Sequence, residues 1–334
     1  MISKERIAIV YNEPLPSRYD ATGEETAALG VLESVAAVYH ALLKLDYDAI
    51  KIPLAFPIKE AEAKLRSLQV DLVFNLFEGF CGQPETEALV PEVLTRLGVP
   101  YTGCSATALT LALDKVKSKQ AMRAAGIPTP GFQLLTPETL SRFNLRYPCV
   151  VKPRNEDASH GLSQDSVVSD FTALARQVTK VCRLYGREAL VEEFIDGREL
   201  NVTVLRNGTG IVLPVSEIVY SLPPGMPRIL TFAAKWEPES QYFQGTKTTC
   251  PARIPPATVQ QATKTALRAF RLLGSRGYAR VDMRLAKDGK LNVIELNPNP
   301  DISPGSGAVL QAEAAGMSYT QFIEKITELV LEKN

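Results

Sequence analysis

The chain has 334 residues, enough for two or three domains with ample core. Lysine plus arginine number 37, as do aspartate plus glutamate, so the formal charge is zero and no basic excess points to nucleic acid. Five cysteines (Cys81, Cys104, Cys149, Cys182, Cys250) lack CxxC spacing and scaffold density, and read as reduced thiols of a cytoplasmic protein.

The opening MISKERIAIVYNE is too charged, and its apolar run too short, for a signal peptide. No stretch approaches the length of a membrane span, so no membrane partner is expected. Arg6 to Tyr11 reads as a buried strand, followed by a helix over Glu24 to Leu45, a strand at Ala49 to Pro53 and a helix over Ile58 to Leu68. Asp71 to Leu76 is a further strand, Glu85 to Leu97 a helix and Val99 to Tyr101 a short strand. This alternation predicts an α/β domain with a parallel sheet. It holds no GxGxxG, so a dinucleotide site has no support.

A helix is then expected from Thr107 to Ala125, ended by Gly126 and the following IPTP. A strand, Tyr147 to Lys152, runs into a polar loop, PRNEDASHGLSQDS. A helix over Phe171 to Tyr185 and a strand over Ala189 to Phe194 lead to the turn IDGRE. Glu199 to Arg206 and Gly210 to Val215 form a strand pair around Asn207-Gly208, a hairpin signal. Residues 220–256 show no clear period and much proline and glycine, so a functional loop is expected there. A helix over 257–274, a hairpin over 277–303, and helices near Gly307 to Ala315 and Ser318 to Leu331 close the chain.

The hairpin carries the first chemistry. In GYARVDMRLAKDGKLNVIELNPNPDIS, Asp288-Gly289 signals a two-residue turn. Lys287 then pairs with Lys290, which sets Asp282 opposite Glu295 and Arg280 opposite Asn297 on one face. Val281, Met283, Leu285, Ile294 and Leu296 fall on the other, which reads as core. Directly opposed carboxylates repel. A divalent cation removes the objection, and two carboxylates plus one amide leave coordination places for water and nucleotide phosphates, as Mg²⁺ prefers. The alternative is a solvated strand pair with ion pairs to Arg280 and Arg284. Lys152 ends a strand and could reach phosphate as a point charge. Lys115, mid-helix, and Lys235, in AAKWE, carry no message alone. Glu192 and Glu199 flank a turn where a carboxylate could accept a ribose hydroxyl or simply lie exposed.

In order, YTGCSATALTLALDK (101–115), CVVKP (149–153), LVEEFIDGRELNV (190–202), AAKW (233–236), ARVDMRL (279–285) and VIELNPNP (293–300) resemble the ATP-grasp superfamily, in its D-alanine–D-alanine ligase branch. The resemblance has most force from about residue 70 onward. It implies an N-terminal parallel α/β domain (1–105), a central ATP-lid domain (106–197), and a C-terminal mixed-sheet domain (198–334) with the metal site and a mobile loop over 220–256. It implies an ADP-forming ligase using ATP and Mg²⁺, with two ions as in the family and Mn²⁺ as a substitute. The resemblance also implies small-molecule substrates, an amino acid or small carboxylate and an amino acid-like amine, and a homodimer.

By the same resemblance, Lys115 and Lys152 hold ATP phosphates, and Glu192, Phe194 and Ile195 border adenine. Glu199 takes the ribose, and Lys235 covers the γ-phosphate from a flexible loop. Asp282, Glu295 and Asn297 ligate the metal, and Arg280 steadies the reacting carboxylate and the tetrahedral intermediate. The amino-acid side departs from the family. Its locking serine falls on Ala158, beside Ser159, and its tyrosine on Trp236. An alanine side chain neither donates nor accepts, and tryptophan only donates. The N-terminal glutamate falls on Glu24 or Glu25. Phe77 or Glu78 stands where a histidine is expected, and Asp301 where a glycine is. Ser306 matches the serine that holds the second substrate's carboxylate. His40 reads as structural, and His160 lies in the phosphate-facing loop. The nucleotide half thus resembles the family and the amino-acid half is rebuilt, which argues for a pair other than two D-alanines.

Overall fold

Strand β1 (Arg6–Asn12), helix α1 (Thr26–Lys44), β2 (Asp48–Leu54), α2 (Ile58–Arg66), β3 (Leu72–Leu76) and α3 (Leu89–Leu97) open the chain. The computed structural model describes residues 4–13, 26–186, 188–206 and 211–331, so Glu24, Glu25 and Asn207-Gly208 lie outside the described residues. The three strands form a parallel sheet in the order β2-β1-β3. β3 is buried along its whole length, which is why LVFNL is nearly all apolar rather than alternating. Where a strand was expected at Val99 to Tyr101, Tyr101 makes only a bridge to Val73.

The single helix expected over Thr107 to Ala125 is two, α4 (Ala106–Leu113) and α5 (Lys115–Ala124). Asp114 breaks it. Its ψ of 88° leaves the helical region, and its carboxylate accepts from the backbone N–H groups of Val116 and Lys117, both at 3.2 Å. Arg154 Nη2 donates to the same carboxylate at 2.9 Å. Lys115 is therefore the first residue of α5 rather than a mid-helix residue.

A second sheet contains β4 (Phe132–Leu135), β5 (Cys149–Pro153), β6 (Val167–Val168) and, after α6 (Phe171–Tyr185), β7 (Ala189–Glu193). Its order is β4-β7-β5-β6, all antiparallel. Asp170 caps α6 by accepting from Ala173 N–H at 2.8 Å, and Leu174, Val178 and Val181 bury the helix against Val151 and Val191.

The third sheet uses β8 (Gly197–Arg206), β9 (Ile211–Val212) and β10 (Ser216–Tyr220), then α7 (Phe232–Trp236), α8 (Gln241–Gly245), β11 (Thr246–Thr249) and α9 (Pro256–Leu272). β12 (Gly277–Ala286), β13 (Leu291–Pro298), α10 (Gly307–Ala314) and α11 (Tyr319–Leu331) complete it. Its path is β11-β10-β8-β12-β13, with β9 on β8. Residues 220–256 thus contain two short helices and a paired strand, too short to show a period in sequence. Leu109 of α4 and Met122 of α5 share a core with Val202, Val281, Val293 and Phe270 of this sheet and α9. Val35 and Leu42 of α1 join Phe322 and Ile326 of α11 and Tyr278 in another. Each such aliphatic burial stabilises the assembly by about 1.5–3 kcal/mol. No helix among the described residues is long and apolar enough to cross a membrane.

The hairpin turn differs from expectation. Ala286 N–H donates to Lys290 O at 2.9 Å, so the loop is the three residues 287–289 rather than two. Gly289 supplies the positive φ, 83°, that this longer turn needs. The ladder leaves the turn with Leu285 opposite Leu291 and Met283 opposite Val293, one step off the expected register. A bulge between Asp282 and Met283 then restores it, and Asp282 faces Glu295 and Arg280 faces Asn297. The extra residue is Ile294. It is not core, as the alternation suggested, but lines a cleft, and Val293 takes the buried place.

Candidate active site

Between the second and third sheets lies a cleft with a cavity volume of about 120 Å³. One wall carries Lys115, Lys152, Glu192, Phe194 and Ile195; the other carries Glu199, Arg280, Asp282, Glu295 and Asn297, with Lys235 above. The structure thus brings every expected nucleotide and metal residue to one cavity. Register explains the second wall. Arg284 pairs with Glu199, Asp282 with Asn201 and Arg280 with Thr203 across β12 and β8, while Glu295 and Asn297 follow on β13. Residues two apart share a face, so three strands present one polar surface.

Asp282 is fully engaged. Its Oδ1 accepts from Asn201 Nδ2 at 2.7 Å and Arg280 Nε at 2.7 Å, and its Oδ2 from Arg280 Nη2 at 2.9 Å and Asn297 Nδ2 at 2.7 Å. Burial opposes ionisation of Glu295, but Lys115, Lys152, Lys235 and Lys119 outweigh it and hold its carboxyl down at about 2. Lys115 Nζ lies 3.9 Å from Glu295 Oε2 and 3.5 Å from Asp157 Oδ1, and donates to Glu156 O. Burial would lower the Lys115 pKa, yet Asp157 and Glu295 raise it, so the ammonium persists. Among the described residues no cluster of three or more His, Cys, Asp and Glu side chains could hold a metal. Two carboxylates and an amide nevertheless form a hard-oxygen set that fits Mg²⁺ sharing its shell with water and phosphate. Asp282, Glu295 and Asn297 would hold it.

Glu192 sits between Lys119 Nζ (3.0 Å) and Lys152 Nζ (3.2 Å). Burial resists its charge, but the two lysines lower its pKa. Glu199 accepts from Tyr220 Oη at 2.6 Å and pairs with Arg284 Nη2 at 2.7 Å. The sequence reading missed Lys119, Asn201, Tyr220 and the Arg284–Glu199 pair. Lys119 had a signal, since it follows Lys115 by four residues on the same helix face. Asn201 had one too, two residues from Glu199 on a strand.

Two segments close the cleft. Phe232 N–H donates to Leu162 O at 3.0 Å, and its ring lies 5.4 Å from that of His160. Trp236 Nε1 donates to Ala158 O at 3.3 Å, and the far edge of its indole abuts Gly30 of α1. Burial and the Arg280 guanidinium lower the Lys235 pKa. Beside the cleft, Ser306 Oγ donates to Asp301 O at 2.9 Å, and Asp301 Oδ1 accepts from Ser303 N–H at 2.8 Å and Ser34 Oγ at 3.4 Å. Glu78 keeps solvent-accessible surface but is surrounded by protein, and that desolvation, with Asp301 and Asp157 nearby, raises its pKa. Glu78, Asp301, Ser306 and Trp236 stand outside the cleft lining.

The fold matches that of a D-alanine–D-alanine ligase of Bacillus anthracis solved with ATP, at a TM-score of 0.74 and 23% identity, over 98% of this chain and 97% of that one. It also matches the VanG D-Ala:D-Ser ligase of Enterococcus faecalis, at 0.75 and 22% identity, over 98% and 100% of the two chains. Residues 121–328 match the family model for the D-Ala–D-Ala ligase C-terminus. The protein is an ATP-grasp enzyme, an ADP-forming carbon–nitrogen ligase. A D-alanine–D-alanine ligase of Carboxydothermus hydrogenoformans is 31% identical over 89% of this chain and 92% of its own length. An uncharacterized protein, y4sG of Sinorhizobium fredii, is 40% identical over 77% and 74%. The chain belongs to the D-alanine–D-alanine ligase family.

Proposed function

We propose that this ligase joins the carboxylate of an amino acid or small acid to an amino acid-like amine, the pair being other than two D-alanines. The observation that carries the reading is the contact between Trp236 and Ala158. An indole N–H and a backbone carbonyl meet where the family places a tyrosine and a serine. The Asp301 side chain, beside the cleft, suits an ammonium group on a substrate, and such a cation would favour the charged form of Glu78, whose pKa its surroundings raise.

In this reading Lys115, Lys152 and Lys235 bind the phosphates of ATP, Phe194 and Ile195 flank the base, Glu192 accepts from it, and Glu199 takes the ribose. Mg²⁺, or Mn²⁺ in its place, would neutralise phosphate charge, two ions serving if the family's pattern holds. A substrate carboxylate oxygen attacks the γ-phosphorus and ADP leaves, giving an acyl phosphate. The amine attacks the acyl carbon, the amide forms, and phosphate departs as the nitrogen loses its proton. Arg280 stabilises the oxyanion of that second step by position and charge. The Phe232 and Trp236 contacts keep water from the acyl phosphate. Asp301, Ser306, Glu78 and Trp236 shape the amino-acid side. The reading includes a cytoplasmic homodimer, and sedimentation tests its oligomeric part.

Phosphate release from ATP and Mg²⁺ with D-alanine as the only amino acid tests the proposal. Little release with D-alanine, and brisk release with another amino acid or acid–amine pair, is the expected result. Brisk release with D-alanyl-D-alanine among the products overturns it in favour of a cell-wall ligase. That second reading draws on the 31% identity to the Carboxydothermus enzyme over most of both chains.

A further inference from the structure

Lys119 is 1% exposed and charged, and the reaction outlined above does not use it. Its ammonium makes two hydrogen bonds and one ion pair. Glu192 Oε1 lies at 3.0 Å, Thr129 Oγ1 at 3.1 Å and Ile294 O at 2.7 Å. Each partner belongs to a different part of the fold. Glu192 is on β7 of the second sheet, Thr129 follows α5, and Ile294 is on β13 of the third sheet.

Two of these contacts bear on the ligand sites. Glu192 is the carboxylate facing the base end of the cleft. With Lys152 at 3.2 Å on its other oxygen, it stays an ionised, acceptor-only group. Ile294 is the bulge residue, and its carbonyl stands where the ladder to β12 is interrupted. A bulge carbonyl without a ladder partner needs one elsewhere. That bulge restores the register in which Glu295 faces Asp282. Without it, the next residue would turn its side chain to the opposite face.

We propose that Lys119 is a positioning residue of the nucleotide site, which aims Glu192 at the base and pins the Ile294 bulge so that Glu295 and Asn297 face the cation. The inference rests on reading the cleft as a nucleotide site. It adds a mechanical link between the base-reading end and the metal-holding end, carried by one ammonium. A lysine that merely stabilised the fold would leave base preference and cation requirement untouched.

The test uses the full chain and direct binding, so it needs no amino-acid substrate. Binding of the β,γ-imido analogues of ATP and GTP is measured by calorimetry over a Mg²⁺ titration for the wild type, Lys119→Met and Lys119→Arg. K119M should weaken the adenine analogue about 10-fold or more, the scale of losing a partner behind a ligand residue. It should narrow the preference over the guanine analogue and raise the half-saturating Mg²⁺ concentration, and K119R should recover part of each. Unchanged constants overturn the inference, as does equal weakening for both nucleotides at an unchanged Mg²⁺ requirement. If K119M does not fold, Glu192→Gln removes the buried anion left unpaired, and E192Q is compared with E192Q/K119M. A higher Mg²⁺ requirement in the double variant upholds the inference, and an equal one overturns it. A wild-type chain that binds neither analogue with Mg²⁺ overturns the nucleotide reading itself, and this inference with it, before any variant is compared.

Discussion

Arg280 and Asp282, two residues apart on one strand, hold each other through two parallel hydrogen bonds, Nε to Oδ1 at 2.7 Å and Nη2 to Oδ2 at 2.9 Å. The same carboxylate faces Glu295 across the hairpin. Asp282, Glu295 and Asn297 would hold a cation, which would supply positive charge for the nucleotide phosphates, and Asp282 fixes the Arg280 guanidinium beside them. Asp282→Asn should raise the Mg²⁺ concentration needed for nucleotide binding at least ~10-fold. It should also lower stability by about 3 kcal/mol, because Arg280 loses its ionised partner within the fold. Calorimetric Mg²⁺ titration and urea denaturation check the two effects separately. Unchanged Mg²⁺ dependence would remove Asp282 from the metal set.

The Trp236–Ala158 contact makes a prediction about substrate choice. Ala158→Ser with Trp236→Tyr restores a hydroxyl on each side. The double variant should raise D-alanine-dependent phosphate release about 10-fold or more, since a site that hydrogen-bonds its substrate discriminates strongly. Each single variant should do less, because one hydroxyl without the other is a half-satisfied pair. No gain in the double variant would mean that other residues reject D-alanine.

The buried thiols predict alkaline sensitivity. Burial pushes Cys104 up to about 11, and pushes Cys149 up to about 11 as well. Burial also raises the Tyr278 phenol. Between the ordinary thiol value and 11 the unfolded chain holds fewer protons than the folded one, so stability falls as pH rises. It is fully present below the ordinary value. Denaturant midpoints should drop from pH 9 to pH 11, and Cys104→Ala should make the drop shallower. At pH 8, iodoacetamide should spare Cys104 and Cys149, which have no exposed surface, relative to partly exposed Cys81.

Gly289 tests the turn. A Cβ there meets nothing within 4 Å, so only the positive φ of 83° opposes a side chain. Gly289→Ala should cost about 1 kcal/mol by that backbone penalty and leave nucleotide binding unchanged. A loss of nucleotide affinity would show that the turn transmits strain to the bulge.

The hairpin shows how sequence reasoning reached the right pairing by an incomplete route. Asp288-Gly289 suggested a two-residue turn, and the turn has three. A bulge at Ile294 cancels the offset. Turn chemistry is local and readable, but a bulge carbonyl finds its partner through the fold, and Ile294 O accepts from a lysine on α5. The break at Asp114 was hidden for a related reason. Its cap is local, but its second partner, Arg154, arrives from another element.

The sequence by itself determined most of the strand–helix order, the two-residue spacing that puts Glu295 and Asn297 on one face, and the motif series marking an ATP-grasp ligase. These are properties of spacing along one chain, fixed by the two- and 3.6-residue periods of the backbone. Only the tertiary structure decided which buried charges meet. Lys119 reaches Glu192 and Ile294, and Trp236 reaches Ala158, across separate sheets and segments. Such partners are chosen by packing, because a buried charge or carbonyl takes whichever complementary group the folded core brings within hydrogen-bond distance.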